Sequence, residues 1–174
     1  AATLFHPEIA LVSLVAENRQ WFKSRRGLDA PGTPRSQSFC SHVIERDQVM
    51  VVLDATQDLR FADNPLVTDE PHIRFYAGHP LISVEGAPLG ALCVIDTKPR
   101  PGGLSDIQRE SLSVLAKSAI RRISQRRLGE TAQEAVNMRE SYLQRMIDSV
   151  PGIAWSADEK GNFDHINAQW EDLT

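Results

Sequence analysis

Apolar and polar positions divide the chain into short apolar runs, a turn-rich middle and one long helical stretch. Residues 1–7 read as the end of a helix broken by Pro7. Ile9 to Ala16 (IALVSLVA) and Arg19 to Ser24 (RQWFKS) read as strands, and Glu17-Asn18 suits a tight hairpin turn because Asn accepts positive φ. Gly27 to Ser36, with its glycines and prolines, reads as loop. Gln37 to Glu45 carries Phe39, Cys40, Val43 and Ile44 at helical spacing, which predicts a short helix. Val49 to Asp54 is a third strand. The polar segment Asp54 to Pro71 contains a helix start, with Asn64 as N-cap and Pro65 at the first helical position. Tyr76 to Ser83 and Pro88 to Asp96 are apolar and joined by Glu85-Gly86-Ala87-Pro88, a β-hairpin pattern.

Ser105-x-x-Gln108 is a capping box that opens the next helix. From Leu104 to Val150 there is no proline and a single glycine, Gly129, so a continuous helix is expected up to a proline at 151. Gly129 costs a helix about 1 kcal/mol, so a break there is the alternative. Leu112, Leu115, Ala116, Ala119, Ile120 and Ile123 make one broad stripe suited to packing on a sheet. Further on, Leu128, Ala132, Ala135, Arg139, Tyr142 and Met146 alternate four-three, the spacing of a coiled-coil seam. Leu128, Ala132, Ala135, Tyr142 and Met146 are therefore the dimerisation candidates. After Pro151-Gly152 a second hairpin is expected, Ile153 to Ala157 and Asn162 to Ile166 around an Asp158–Gly161 turn, with Asn167 placed to cap a helix.

Four blocks carry a family resemblance: SFCSHVI at Ser38–Ile44, RFADNPLV at Arg60–Val67, HIRFYAGHPL at His72–Leu81 and LGALCVID at Leu89–Asp96, with the helix following. Together, at this spacing, they resemble a GAF domain over about residues 1–125, of the kind found in bacterial sensor histidine kinases and diguanylate-cyclase-type regulators. SVPGIAWSADEKGNFDHIN at Ser149–Asn167 resembles the opening of a PAS domain. The resemblance implies an α+β fold: a central antiparallel sheet of five or six strands flanked by helices, with a long C-terminal helix leading to an incomplete PAS unit. The expected organisation is a GAF-like sensory domain at 1–125, a signalling helix at 126–149 and the start of a PAS domain at 150–174. It also implies terminal helices that dimerise and a small-molecule pocket on the sheet face away from them. Cys40, His42, Phe61, Asp63, Arg74, Tyr76 and Cys93 are the pocket candidates within the matching blocks.

Composition narrows the function classes. The hydrophobic fraction of 41% and charged fraction of 24% are ordinary for a globular protein, and the net charge of −4 argues against general nucleic-acid binding. The basic patch Arg121, Arg122, Arg126 and Arg127 has no interleaved aromatic residue, and reads as a solvated helix face with interchain pairs to residues such as Glu130 and Glu134. No apolar run approaches the roughly 18 residues of a membrane span. The chain begins Ala1-Ala2-Thr3 without Met, so a fragment of a longer cytoplasmic protein is expected, with an anchor elsewhere left open.

Specific chemistries find little support. Cys40 and His42, two apart on a helix, point to different faces, and His72 and His79 add no metal-ligand spacing. Asp54, Asp58 and Asp63 read as turn and cap residues. Arg74 and Tyr76 fall on one strand face, where they could hold a polar ligand or serve as an ion-pair partner and a packing residue. The two cysteines, Cys40 and Cys93, are expected to be reduced and buried. Cys93, in a strand, is expected to lack a resolving partner because Cys40 lies on a distant helix, which counts against a thiol redox enzyme. Cys40 is followed by Ser41 rather than directly by His, unlike bilin-attaching GAF domains, and the cyclic-nucleotide GAF signature is absent. No cofactor is assigned. The expected function is a sensory input and dimerisation module that passes ligand or partner state along the helix to a PAS unit and a kinase or cyclase output; a ligand-free assembly domain is the alternative, ahead of a redox enzyme or a chromophore or haem sensor.

Overall fold

The structure is a computed structural model and describes residues 2–46, 48–149 and 155–166. The chain separates into two compact units, Ala1–Ser124 and Gln125–Thr174. In chain order the first unit holds α1 (Ala2–Phe5), β1 (Ile9–Val15), β2 (Arg19–Arg26), β3 (Gly32–Pro34), a 3-10 turn (Arg35–Gln37), α2 (Phe39–Val43), β4 (Met50–Val52), α3 (Pro65–Thr68), β5 (Phe75–Ile82), β6 (Pro88–Asp96) and the start of α4 (Asp106–Asp148). Six strands form one sheet in the order β3-β2-β1-β6-β5-β4, every neighbouring pair antiparallel. This is the expected α+β architecture.

Strand alternation gives the sheet two buried faces. On one, Ile9 and Leu11 of β1, Phe22 of β2, Tyr76 of β5 and Ala91, Cys93 and Ile95 of β6 pack under Phe39, Cys40 and Val43 of α2, with Phe61 and Val67. On the other, Val12, Phe75, Ala77, Leu92 and Val94 pack against Phe5 of α1 and Leu112 and Ala116 of α4. Leu115, Ala119 and Ile120 join that second face, so most of the apolar stripe read on the first part of α4 is its sheet-facing side.

Local signals account for the element ends. Asn64 accepts from the Leu66 N–H at the start of α3, with Pro65 next to it. The Ser105 and Gln108 side chains satisfy each other's backbone N–H groups ahead of α4. The Ala16 N–H donates to the Arg19 carbonyl across Glu17-Asn18, and Gly86 turns the β5–β6 hairpin at φ +83°.

The loop expected over Gly27–Ser36 is instead partly ordered. β3 pairs with β2 at three positions, Arg19↔Pro34, Gln20↔Thr33 and Trp21↔Gly32. Pro34 is tolerated because β3 is an edge strand. Gly32 is required because a Cβ there would collide with the Gln20 carbonyl.

In the second unit α4 runs unbroken through Gly129, so the alternative of a break is not what forms. Glycine's cost is too small to outweigh the hydrogen bonds on either side. Ala132, Ala135, Tyr142 and Met146 are exposed on this stretch, as are Val136, Met138 and Leu143; the side chain of Leu128 lies outside the described set. β7 (Trp155–Ala157) and β8 (Phe163–Ile166) form the expected antiparallel hairpin. Ile153 and the Asn167 cap lie outside the described residues. Among the described residues no helix is long and apolar enough to cross a membrane.

Candidate functional site

A cavity of about 130 Å³ lies on the face of the sheet that carries α2. Its walls are Ile9 and Leu11 of β1, Phe22 of β2, Phe39 and Cys40 of α2, Tyr76 of β5 and Ile95 of β6. Leu28, Ala30, Leu66, Pro71 and Ile73 add to the apolar lining, Gln20 and Thr33 supply a polar part, and the lining reaches Glu70, which is exposed. The volume is near that of an engineered apolar cavity of ~150 Å³ that accepts benzene. A tetrapyrrole is far larger than this space.

One end of the cavity is polar and internally satisfied. Gln20 Oε1 accepts from the hydroxyls of Ser13 (2.9 Å) and Ser38 (2.6 Å), and Gln20 Nε2 donates to Thr33 Oγ1 (2.6 Å). Ser13, Gln20 and Ser38 are all buried. Ser38 is also the N-cap of α2, accepting from the Ser41 N–H, so the network holds the helix that bears Cys40.

Beside this network Cys40 Sγ lies 4.0 Å from Cys93 Sγ, and the Tyr76 hydroxyl donates to Cys40 Sγ at 3.3 Å. Both cysteines are free and buried. The expectation that Cys93 has no partner is therefore wrong. α2 folds back across the centre of β6, which brings together two thiols that are 53 residues apart. The contact with Cys93 is the main influence holding the Cys40 thiol below its ordinary value, with help from Tyr76 and against the effect of burial. Cys93 is pushed well up by the same contact, by burial and by the charge that Cys40 would carry. Burial is the first cause that raises the Tyr76 phenol well above its ordinary range.

The other candidates are placed differently. Phe61 is buried behind the cavity wall, stacked on Phe39 with centroids 4.0 Å apart. His42 is half-buried, its ring perpendicular to that of Phe61 with centroids 5.0 Å apart, and it does not line the cavity. Asp63 is exposed at the approach to α3. Arg74 precedes β5 and donates from Nη1 to the carbonyls of Val67 and Ile73. It thereby joins α3 to the sheet, and neither an Asp partner nor the cavity is needed to account for its position. Of the seven candidates, Cys40 and Tyr76 line the cavity, and Cys93 is one contact behind it.

Ser13, Gln20, Thr33 and Ser38 were not singled out from the sequence. The available signal was parity: Ser13 interrupts the inward positions of an apolar strand, and Gln20 shares its inward parity with Phe22. Among the described residues no group of three or more His, Cys, Asp or Glu side chains could hold a metal ion.

The GAF domain model matches residues 1–123, the segment that contains the sheet, the cavity and the start of α4. The chain belongs to the GAF domain family. Over 123 residues, 71% of this chain, it is 48% identical to a cyclic di-GMP phosphodiesterase of Pseudomonas aeruginosa, and it spans 21% of that protein's length. Among solved structures, the GAF domain of an Acinetobacter phosphoenolpyruvate-protein phosphotransferase superposes with a TM-score of 0.58 at 17% identity, covering 75% of this chain and 78% of that one. A type II free methionine-R-sulfoxide reductase from Thermoplasma acidophilum gives 0.52 at 13% identity, covering 66% and 77%. At these identities the structural likeness is one of fold.

Proposed function

We propose that this GAF domain is the sensory input and dimerisation module of a bacterial signal-transduction protein. The observation that carries the reading is the back-to-back construction of β5 and β6. Tyr76 and Cys93 face the cavity side, while their neighbours Phe75, Ala77, Leu92 and Val94 face α4. An occupant that shifts these strands has only one sheet thickness to act through before reaching Leu112 and Ala116. A small, largely apolar molecule of about one ring fits the cavity volume, with Glu70 at its outer limit. Occupancy would bias the packing of paired α4 helices, a two-state element that the ligand shifts by its differential affinity.

The exposed residues Ala132, Ala135, Tyr142 and Met146 serve as the seam of a homodimer in this reading, and the segment after α4 begins a PAS domain. The protein is cytoplasmic, with its output domain in cis. The 48% identity to a cyclic di-GMP phosphodiesterase favours an output that turns over cyclic dinucleotides over a histidine kinase. The internal satisfaction of Gln20 favours a second reading, an assembly domain without ligand, because the buried amide at the polar end of the cavity already has its partners within the protein.

Native mass spectrometry of the protein tests these readings together. A dimer retaining an adduct of small-molecule mass is the expected result, and a dimer without adduct across a panel of ring-sized compounds selects the assembly reading. A strict monomer at high concentration overturns the helix-pair mechanism. Tyr142→Glu with Met146→Glu is expected to shift the dimer to monomer while leaving the GAF sheet folded.

A further inference from the structure

We propose that Cys40 and Cys93 form a dithiol that hydroperoxides oxidise to an intramolecular disulfide, making the core of this domain redox-responsive. Three observations converge. The two sulfurs are in contact at 4.0 Å, and they are the only cysteines in the chain. A disulfide requires about 2.05 Å, so an approach of about 2 Å closes the bond. The second observation is access: Cys40 lines the cavity, whose lining continues to exposed Glu70, and a hydroperoxide is small and neutral enough to enter about 130 Å³. The third is asymmetry. The Tyr76 hydroxyl donates to Cys40 Sγ at 3.3 Å, while Cys93, on β6, does not line the cavity. The lowered thiol of Cys40 and the raised one of Cys93 agree with that assignment of roles.

The chemistry balances without a metal. The Cys40 thiolate attacks the outer oxygen of the hydroperoxide; an S–O bond forms, the O–O bond breaks, and the leaving oxygen takes a proton to depart as alcohol or water. Cys93 sulfur then attacks the Cys40 sulfenic sulfur; the S–S bond forms, the S–O bond breaks, and hydroxide leaves as water with the proton from Cys93. Two thiols lose two electrons and one hydroperoxide gains them. A small dithiol such as dithiothreitol reverses the change. The bond would tie α2, the lid of the cavity, to the central strand β6. Oxidation and cavity occupancy then act on the same element, although the thiol chemistry itself needs no ligand and stands apart from the ligand reading.

The test is intact-mass analysis of the folded protein after stoichiometric hydrogen peroxide, followed by alkylation under denaturing conditions. The expected result is loss of the mass of two hydrogens, no alkylatable thiol, a monomeric species on a non-reducing gel, and a cross-linked peptide pair containing Cys40 and Cys93. Dithiothreitol should restore two alkylatable thiols. In Cys93→Ser a sulfenic acid should be trapped by dimedone on Cys40, and in Cys40→Ser no sulfenic acid should form on Cys93. Two intact thiols in the treated wild type, oxidation to sulfinic acid without a cross-link, or a disulfide only between chains overturns the proposal. The wild-type cross-link decides the matter even if a serine variant does not fold.

Discussion

The Tyr76 ring occupies the space that a side chain at Gly78 would need: a Cβ built on Gly78 would lie 2.8 Å from the ring Cζ. The two residues share one face of β5, and the ring leans along the strand until its hydroxyl meets Cys40. Gly78 thus sets the tyrosine's position as much as the core around it does. Gly78→Ala is expected to destabilise the fold by about 1–3 kcal/mol through overpacking. In a double-mutant cycle with Tyr76→Val, urea unfolding should show the alanine costing less once the ring is gone. Equal costs in both backgrounds would refute the steric account.

Ser38 does two jobs, capping α2 and donating to Gln20 at 2.6 Å. Ser38→Ala is expected to cost about 2 kcal/mol, combining a lost cap with a weakened buried network. Ser38→Thr should recover part of it, measured as the shift in the urea midpoint at constant slope.

Alkaline stability should fall as the pH rises above about 10. The Tyr76 phenol is raised above its ordinary value of 10.0 in the fold, so the unfolded chain loses that proton first. Stability is complete below the unfolded value and is lost as pH rises through the folded one. The two thiols move in opposite directions and offset each other in part. Tyr76→Phe should flatten the alkaline limb. In a Tyr142→Phe background, phenolate absorbance should appear together with unfolding rather than before it.

Acid acts through Glu8 and Asp58. Hydrogen bonds from Thr97 lower the Glu8 carboxyl, and hydrogen bonds from Arg60 lower that of Asp58. Their contributions are present above the ordinary values of 4.5 and 3.8, and are lost as pH falls through the folded ones. The double variant Glu8→Gln, Asp58→Asn should lose less stability than wild type between pH 5 and the acid end of a thermal-unfolding series. Both carboxyls are near the surface, so the difference is small.

Position along α4 should decide the effect of truncation. Leu112 is fully buried against the sheet, so Leu112→Ala is expected to cost about 2–5 kcal/mol. Met138, 73% exposed, should tolerate alanine within about 0.5 kcal/mol in the unfolding of the first unit.

The elements with strong local signals were legible from the chain alone: the β1–β2, β5–β6 and β7–β8 hairpins, the Asn64-Pro65 start of α3, the Ser105–Gln108 box and the long helix. β3 was not, because two prolines and two glycines in Gly27–Ser36 are loop chemistry unless an edge partner such as Gln20 is already in place. The cavity was legible only in part. Cys40 and Tyr76 stand in it, but Arg74 spends its guanidinium on the carbonyls of Val67 and Ile73, which no spacing rule foretells. The inward position of Ser13 and Gln20 was written in strand parity, yet parity does not say which hydroxyl an amide will meet.

What the sequence determined by itself is therefore local and periodic: which residues of each strand face the same way, where helices start, and that β5 and β6 have two apolar faces. Those properties depend on residues two to four apart, whose geometry the backbone dictates. Only the tertiary structure decided that α2 lies across β6 and puts Cys40 beside Cys93, that β3 closes the sheet edge over Gln20, and that a cavity remains beneath Tyr76. Such neighbours are dozens of residues apart in the chain. Their adjacency follows from burying both faces of one sheet at once, a condition no short window of sequence contains.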